Sequence, residues 1–258
     1  MRIEVLDHGY LELVESWGSD RAIIESARMS TQKGFVGWGG ACVRCGSTDD
    51  ASLSCDDGDV IRDKHKMIAE GNGDEKLLGY LWRNQHSTPF EFAGFVVEVQ
   101  APIFVFREWH RHRTQSFTEA SARYAPLPAL DYVPTIDRVL ADGGANKQAG
   151  AVAGARKVDG AAAAAWLHKV KSRYEQAEED YQSALADGVP KELARILLPV
   201  GRYSRMRAQA NLRNWLHFLG LRMAPNAQWE IRQYANALAS IVESLYPRTF
   251  ALFSEVSK

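Results

Sequence analysis

Residues 92–124 read FAGFVVEVQAPIFVFREWHRHRTQSFTEASARY, and the patterns inside that stretch decide the fold class. Phe92 to Gln100 is dense in Phe and Val, the composition of a half-buried strand. Pro102 suits the first turn of a helix, where its fixed φ and missing N–H do no harm. The helix expected there is IFVFREWHRH, residues 103–112. A dense polar strip, residues 111–124, follows directly.

Outward from this stretch, helices dominate. Toward the N-terminus, Glu75 to Asn84 has helical spacing, with Leu77, Leu78, Leu81 and Trp82. Before it, Gly34 to Gly73 is rich in Gly, Asp and Ser and reads as a long loop or insertion. Tyr10 to Arg28 reads as a short turn and then a helix, with Asp20 as its cap. Ile3 to Asp7 alternates like an edge strand. Toward the C-terminus, Ala141 to Ala165 is dominated by Ala and Gly, a loop whose end, Ala161–Ala165, starts a helix. That helix sets Trp166, Val170, Ala177, Tyr181 and Ala184 along one face. Gly188 stops it and Pro190 opens the next, KELARILL. Ile231, Tyr234, Ala235, Leu238, Ile241, Val242 and Leu245 define a last helix ending before Pro247. There is no internal repeat. The reading is one α+β domain over residues 1–258, with insertions near 34–73 and 140–162.

Composition limits the function. The chain has 258 residues, 31 Lys+Arg against 32 Asp+Glu, and a formal charge of −1, so it lacks the basic excess of a protein that coats nucleic acid. No apolar run approaches the roughly 20 residues of a membrane span. The N-terminal MRIEVLDHGYLELVES has no basic start before an apolar block, so no signal peptide is expected and the location expected is cytoplasmic. Three cysteines, Cys42, Cys45 and Cys55, are an odd number and make no disulfide framework. Cys42-x-x-Cys45 with Cys55 and His65 is a candidate Cys3His zinc set, but the second half lacks paired spacing. A loop with free thiols is the plainer reading, and no metal is expected.

The charge is unevenly placed. Arg195 to Arg222 holds six arginines (195, 202, 205, 207, 213 and 222) and no Lys, Asp or Glu. Arg107, Arg111, Arg113 and Arg123 form a second cluster. Guanidinium presents a planar fork of donors that suits phosphate and carboxylate. The two clusters suggest one anionic site; the bland alternative pairs each arginine with an acid elsewhere in the chain. RNA binding is a sharper alternative, against which the near-zero charge counts.

In the strip RHRTQSFTEASARY, Arg111, His112 and Arg113 place three donors side by side, and neighbours at a helix end point in different directions. Ser116-x-x-Glu119 has capping-box spacing, which gives a purely structural reading. The spacing RHR-x7-S, from Arg111-His112-Arg113 to Ser121, resembles the signature of the flavin-dependent thymidylate synthases. The flanks are similar too: ARMS (27–30), HSTPFEF (86–92), LARILLP (193–199), Asn211-Leu212-Arg213, and LRxxxxAQWEIRQYA (221–235). The resemblance spans nearly the whole chain outside the two insertions.

That resemblance implies an antiparallel β-sheet flanked by helices, in a homotetramer with active sites between subunits. It implies conversion of dUMP to dTMP, with methylenetetrahydrofolate as carbon donor and FAD reduced by NADPH as hydride source. Carried over residue by residue, Arg111, His112 and Arg113 contact FAD, together with Thr88, Glu119, Asn211, Leu212 and Arg213. His86 lies near the isoalloxazine ring, and His217 stands at a flavin-site position. The dUMP site takes Glu108, Trp109, His110, Arg111, Glu119, Ala120, Ser121, Ala122, Arg123, Arg195 and Arg222. Ser121 and Arg123 hold the phosphate. Arg222 sits by the uracil and stabilises negative charge at N3, which activates C5 as the nucleophile. No protein nucleophile is implied, in keeping with cysteines that all fall in an insertion. The chain departs from the family pattern at Thr118 and His217 (both usually Asn), at Asn226 (usually His) and at Glu108 (often Gln). A catalytically degenerate nucleotide-binding homologue is thus the main alternative, beside an RNA-binding module.

Overall fold

A computed structural model of the chain describes residues 1–38, 73–141, 149–151, 155 and 157–256. Cys42, Cys45, Cys55 and His65, and with them the zinc reading, lie outside the described residues.

The elements are β1 (Arg2–Val5), β2 (Gly9–Trp17), α1 (Asp20–Arg28), α2 (Asp74–Arg83), β3 (Gly94–Pro102), α3 (Ile103–Trp109), β4 (Ser116–Glu119), α4 (Ile136–Leu140), α5 (Gly160–Ala186), α6 (Lys191–Ala194), β5 (Tyr203–Asn211), α7 (Leu212–Arg222), α8 (Trp229–Leu245) and α9 (Pro247–Val256). The strands form one antiparallel sheet in the order β1-β2-β3-β5-β4. The fold class is α+β with an antiparallel sheet flanked by helices, as expected.

Several local expectations need correction. Gly9–Trp17 is a strand, not a turn leading into a helix: β1 returns on it antiparallel, pairing Val5 with Gly9 and Arg2 with Glu12. Leu6, at φ 60°, makes the tight reversal between them. Asp20 is not the cap of α1; Ser19 is, its side chain accepting from the Ala22 N–H at 3.2 Å. β3 starts two residues later than read, because Thr88–Phe92 is a 3-10 turn with Pro near its start. Pro102 is the last residue of β3 and caps α3 rather than opening it. α3 ends at Trp109, so Arg111-His112-Arg113 lies beyond the helix. Ser116–Glu119 is no capping box but strand β4, registered against Met206–Gln209 of β5.

Two compact units divide the chain, and each is assembled from three separated stretches. The first comprises residues 1–14, 96–209 and 218–238. Its core includes Val97, Val99, Phe106, Trp109, Met206 and Ile231, all buried. In this unit α5 is capped by Asp159, whose side chain accepts from the Ala162 N–H at 2.8 Å. Ala163, Leu167 and Tyr181 of α5 are buried, but Trp166 is 48% exposed and stands off the face assigned to it. Gly188 follows at φ 80°, a left-handed conformation that suits glycine after a helix.

The second unit comprises residues 15–95, 210–217 and 239–258. Phe95 stacks on Trp215 with centroids 4.9 Å apart, and the Trp215 indole N–H donates to the Phe95 carbonyl at 3.1 Å. Gly94 leaves room there for the chain to pass: a Cβ at this position would lie 2.6 Å from the Ala210 carbonyl oxygen.

Candidate functional site

Arg222 is the last residue of α7, and three of its N–H groups are taken within the first unit. Nε donates to His112 Nε2 at 2.8 Å. Nη1 donates to Glu108 Oε2 at 3.0 Å, and Nη2 donates to the Glu108 carbonyl at 2.9 Å. That carbonyl lies in the last turn of α3, where helix geometry leaves acceptors unpaired and partly negative. A guanidinium has five donors, so one N–H on each Nη remains for another acceptor. Arg111 reaches the other oxygen of Glu108 at 3.6 Å, from an exposed position. The sequence therefore assigns four residues, Glu108, Arg111, His112 and Arg222, that the fold brings together.

Two residues that the sequence reading did not single out support this group. Gln115 is buried and accepts from the Trp109 indole N–H at 2.9 Å. Phe218 packs against both Trp109, with centroids 4.6 Å apart, and the His112 ring, at 4.7 Å. Trp109 is fully buried, so its place is in the packing beneath the site rather than on an open face. His110 sits close to Glu119, with Nε2 4.0 Å from Oε2, and its Nε2 is 3.1 Å from Met206 Sδ. The Ala120 N–H donates to the Arg205 carbonyl at 2.7 Å, which fixes the chain as it leaves β4.

A second group of assigned residues gathers just after β4. Ser121 Oγ accepts from the Arg123 N–H at 3.3 Å, in a turn that buries Ala122 and exposes Arg123. The Arg123 guanidinium meets Glu192 at 3.2 Å, and Arg195 Nε donates to the Glu192 carbonyl at 3.3 Å. Lys191 adds a fourth donor nearby, through its bond to the Tyr124 carbonyl at 3.1 Å. Glu192 and Lys191 are the residues missed here. The i,i+3 spacing of Glu192 and Arg195 in KELAR was the available signal.

The remaining assigned residues lie in the second unit. Asn211 caps α7, its Oδ1 accepting from the Asn214 N–H at 3.0 Å. The Leu212 N–H donates to the Ala93 carbonyl at 2.7 Å, and Arg213 pairs with Glu91 at 2.5 Å. The 3-10 turn that carries Thr88 is thus tied to Asn211-Leu212-Arg213. Glu91 makes that tie and was not singled out. His86 and His217 are exposed; the His86 ring meets Tyr80 edge-on, with centroids 5.6 Å apart.

The arginines do not all serve one site. Arg202 is fully buried, with Asp131 at 3.2 Å and Glu178 at 2.6 Å, which makes it structural. Burial raises the carboxyl of Asp131 above its ordinary range, against the opposing pull of Arg202. Arg207 meets Glu98 at 3.4 Å. The stretch without local acids therefore finds its acids in distant elements. Among the described residues there is no cluster of His, Cys, Asp and Glu suited to a metal ion, and no helix long and apolar enough to cross a membrane.

A family model described as thymidylate synthase complementing protein matches residues 12–248. A flavin-dependent thymidylate synthase of Thermus thermophilus is 38% identical over 257 residues, covering 99% of this chain and 79% of the relative. The chain belongs to the flavin-dependent thymidylate synthase family. A second family member, from Thermotoga neapolitana, is 33% identical and covers 98% of this chain and 94% of its own length. Among solved structures, a UMP/dUMP methylase, PolB of Streptomyces cacaoi, bound with 5-Br dUMP, superposes with a TM-score of 0.72. It is 31% identical and covers 98% of this chain and 97% of that one. The resemblance read from RHR-x7-S is borne out.

Within this flavin-dependent thymidylate synthase family member, the departures from the family pattern take definite places. Thr118 lies in β4 opposite Arg207, and its side chain is exposed. His217 is exposed on α7, and Asn226 lies between α7 and α8. Glu108 is the departure with the clearest consequence, since its carboxylate holds two arginines.

Proposed function

We propose that this chain converts dUMP to dTMP reductively, as a flavin-dependent thymidylate synthase, taking its carbon from methylenetetrahydrofolate. FAD, reduced by NADPH, supplies the hydride when bound. The observation that carries the reading is the hydrogen bond from Arg222 to His112. It ties the arginine assigned to uracil activation to the centre of the RHR motif.

The donor set suits its anionic ligands. Arg111 and Arg113 are exposed, and Arg113 has no acidic partner among the described residues. They would hold the flavin's phosphates, and by the family pattern Thr88, Asn211, Leu212 and Arg213 of the second unit are separate candidates for flavin contact. Ser121, Arg123 and Arg195 would hold the nucleotide phosphate, with Glu192 keeping the two guanidinium groups in place beforehand. Arg222, fixed from three sides, would direct its two remaining N–H groups at charge developing on the uracil, without the reorganisation a mobile side chain requires.

The reading includes one synthase-like domain over residues 1–258, working in the cytoplasm as a homotetramer with active sites between subunits. Exposed Leu193, Ile196, Leu197 and Val200 support self-association, because they leave apolar surface in water beside the phosphate group of residues. The test is direct. The protein is incubated with FAD, freed of unbound flavin by gel filtration, and its visible spectrum is recorded with and without dUMP. A retained flavin band that changes with dUMP is the expected result. No retained flavin and no response to dUMP would overturn the assignment.

A further inference from the structure

We infer that His112 is a positioning residue for Arg222, and that only its neutral form, with the proton on Nδ1, holds the guanidinium in place. The inference takes from the proposed function only what Arg222 acts on; the hydrogen bond itself does not depend on that reading.

The argument starts from donors and acceptors. Arginine has N–H donors and no acceptor, so in the bond from Arg222 Nε to His112 Nε2, at 2.8 Å, the imidazole must accept. Nε2 accepts only when it carries no proton. An imidazolium donates from both nitrogens, and beside a guanidinium it is also a like charge. Protonating His112 therefore breaks one of the three bonds that fix Arg222 and sets two cations against each other.

The ring cannot easily turn away. His112 is buried, and its main chain is held on both sides: the backbone N–H donates to the Trp109 carbonyl at 3.0 Å, and the backbone carbonyl accepts from the Gln115 N–H at 3.3 Å. Phe218 of α7 covers one side of the ring. The charged groups around it include Arg222 from α7, Glu108 from α3, which holds that guanidinium through Nη1, and the exposed chain neighbours Arg111 and Arg113. Glu108 anchors Arg222 whether or not His112 is protonated, so protonation loosens Arg222 without releasing it. The expected outcome is graded weakening of nucleotide binding as His112 takes up a proton.

The test has two parts. First, nitrogen-15 labelled histidine in the ligand-free protein reports the protonation of each ring nitrogen of His112. An unprotonated Nε2 at about pH 8 is expected; a proton on Nε2 at that pH overturns the inference. Second, dUMP affinity is measured by calorimetry from about pH 8 to about pH 5.5 for the wild type and for His112→Gln, which keeps an acceptor that does not titrate. The nucleotide phosphate itself titrates in this range, so the comparison between the two proteins decides. The wild type should lose about ten-fold more affinity than H112Q over that interval, the scale of one hydrogen bond to a charged group. Superimposable profiles overturn the inference. A wild type that binds no dUMP at pH 8 would instead refute the proposed function, and the labelled spectrum would then decide His112 alone.

Discussion

Asp74 takes the guanidinium of Arg28 on one carboxylate oxygen and the backbone N–H groups of Val36 and Gly37 on the other. The distances are 2.7 Å to Arg28 Nε, 2.6 Å to Val36 N and 2.9 Å to Gly37 N. Both side chains are buried, and Asp74 is the first residue of α2, where a negative charge also meets the helix dipole. Arg28 belongs to the ARMS segment that marks the family, and its work in this fold is structural. Asp74→Asn keeps the shape and removes the charge, leaving Arg28 buried without its counter-ion. The expected loss is about 3–5 kcal/mol of stability, read as a lowered urea midpoint. A midpoint within error of the wild type would contradict this account.

Asp20 should matter to the other end of the chain. Its oxygens accept from the Thr249 hydroxyl at 2.6 Å and from the N–H groups of Thr249 and Arg248 at 3.1 and 2.9 Å. Those N–H groups belong to the first turn of α9, where no helical partner exists. Asp20 is thus a remote cap. Asp20→Ala should destabilise by about 2–3 kcal/mol and speed amide exchange in α9 before other helices. Uniform exchange across all helices would count against a local capping role.

High pH should unfold the protein through its tyrosines. Burial pushes Tyr246 up to about 12, with the nearby charge of Asp20 acting in the same direction. Burial also pushes Tyr203, Tyr132 and Tyr234 upward, helped by Asp7 at Tyr203 and by Glu230 at Tyr132. An unfolded chain loses its phenolic protons near about pH 10. Above that, the folded chain binds more protons than the unfolded one, so stability falls as pH rises. Below it the contribution is fully present. Urea titrations should give a shallow profile from about pH 8 to 9.5 and a steep decline from about 10 to 12, less steep in Tyr246→Phe. A flat profile across the upper interval would refute it.

Glu192 separates stability from binding. Its pair with Arg123 is exposed on both sides, so Glu192→Gln should alter stability by no more than about 0.5 kcal/mol. Arg123→Ala should weaken dUMP binding at least about ten-fold, the scale of a lost charge-assisted contact, and reduce the salt dependence of that binding. The same loss for deoxyuridine, which has no phosphate, would remove Arg123 from the phosphate group.

Much of this was legible from residues alone, for reasons that differ by element. α8 kept helical spacing from Ile231 to Leu245, and burial of Ile231, Tyr234, Ala235, Leu238, Ile241 and Val242 explains the spacing. β5 escaped notice although its burial alternates cleanly from Arg205 to Ala210. Its inward residues there are Met206, Ala208 and Ala210, two of them too small to signal a strand, while Arg205 and Arg207 give the outward face the pattern of a charge cluster. β4 is only four residues long and takes its strand form from pairing with β5, which no local pattern records. In the candidate site, motif spacing found Arg222 and His112 but not their bond. It missed Gln115, Phe218, Glu91 and Glu192, whose roles depend on contacts between residues distant in sequence, or on a single local pair within a longer motif.

The threading of the two units has a consequence for synthesis. The first unit needs its stretch up to Leu238, and the second needs both the segment from Glu15 and the segment ending at Lys258. A ribosome making this chain therefore releases β1, β2 and β3 long before either unit can close. Phe95, whose ring stacks on Trp215, must wait exposed for a partner more than a hundred residues away, a wait that favours slow folding and capture by chaperones. Neither unit can be obtained by cutting the chain at one point, so fragments that stop short of α9 should accumulate as insoluble protein rather than as a smaller folded body.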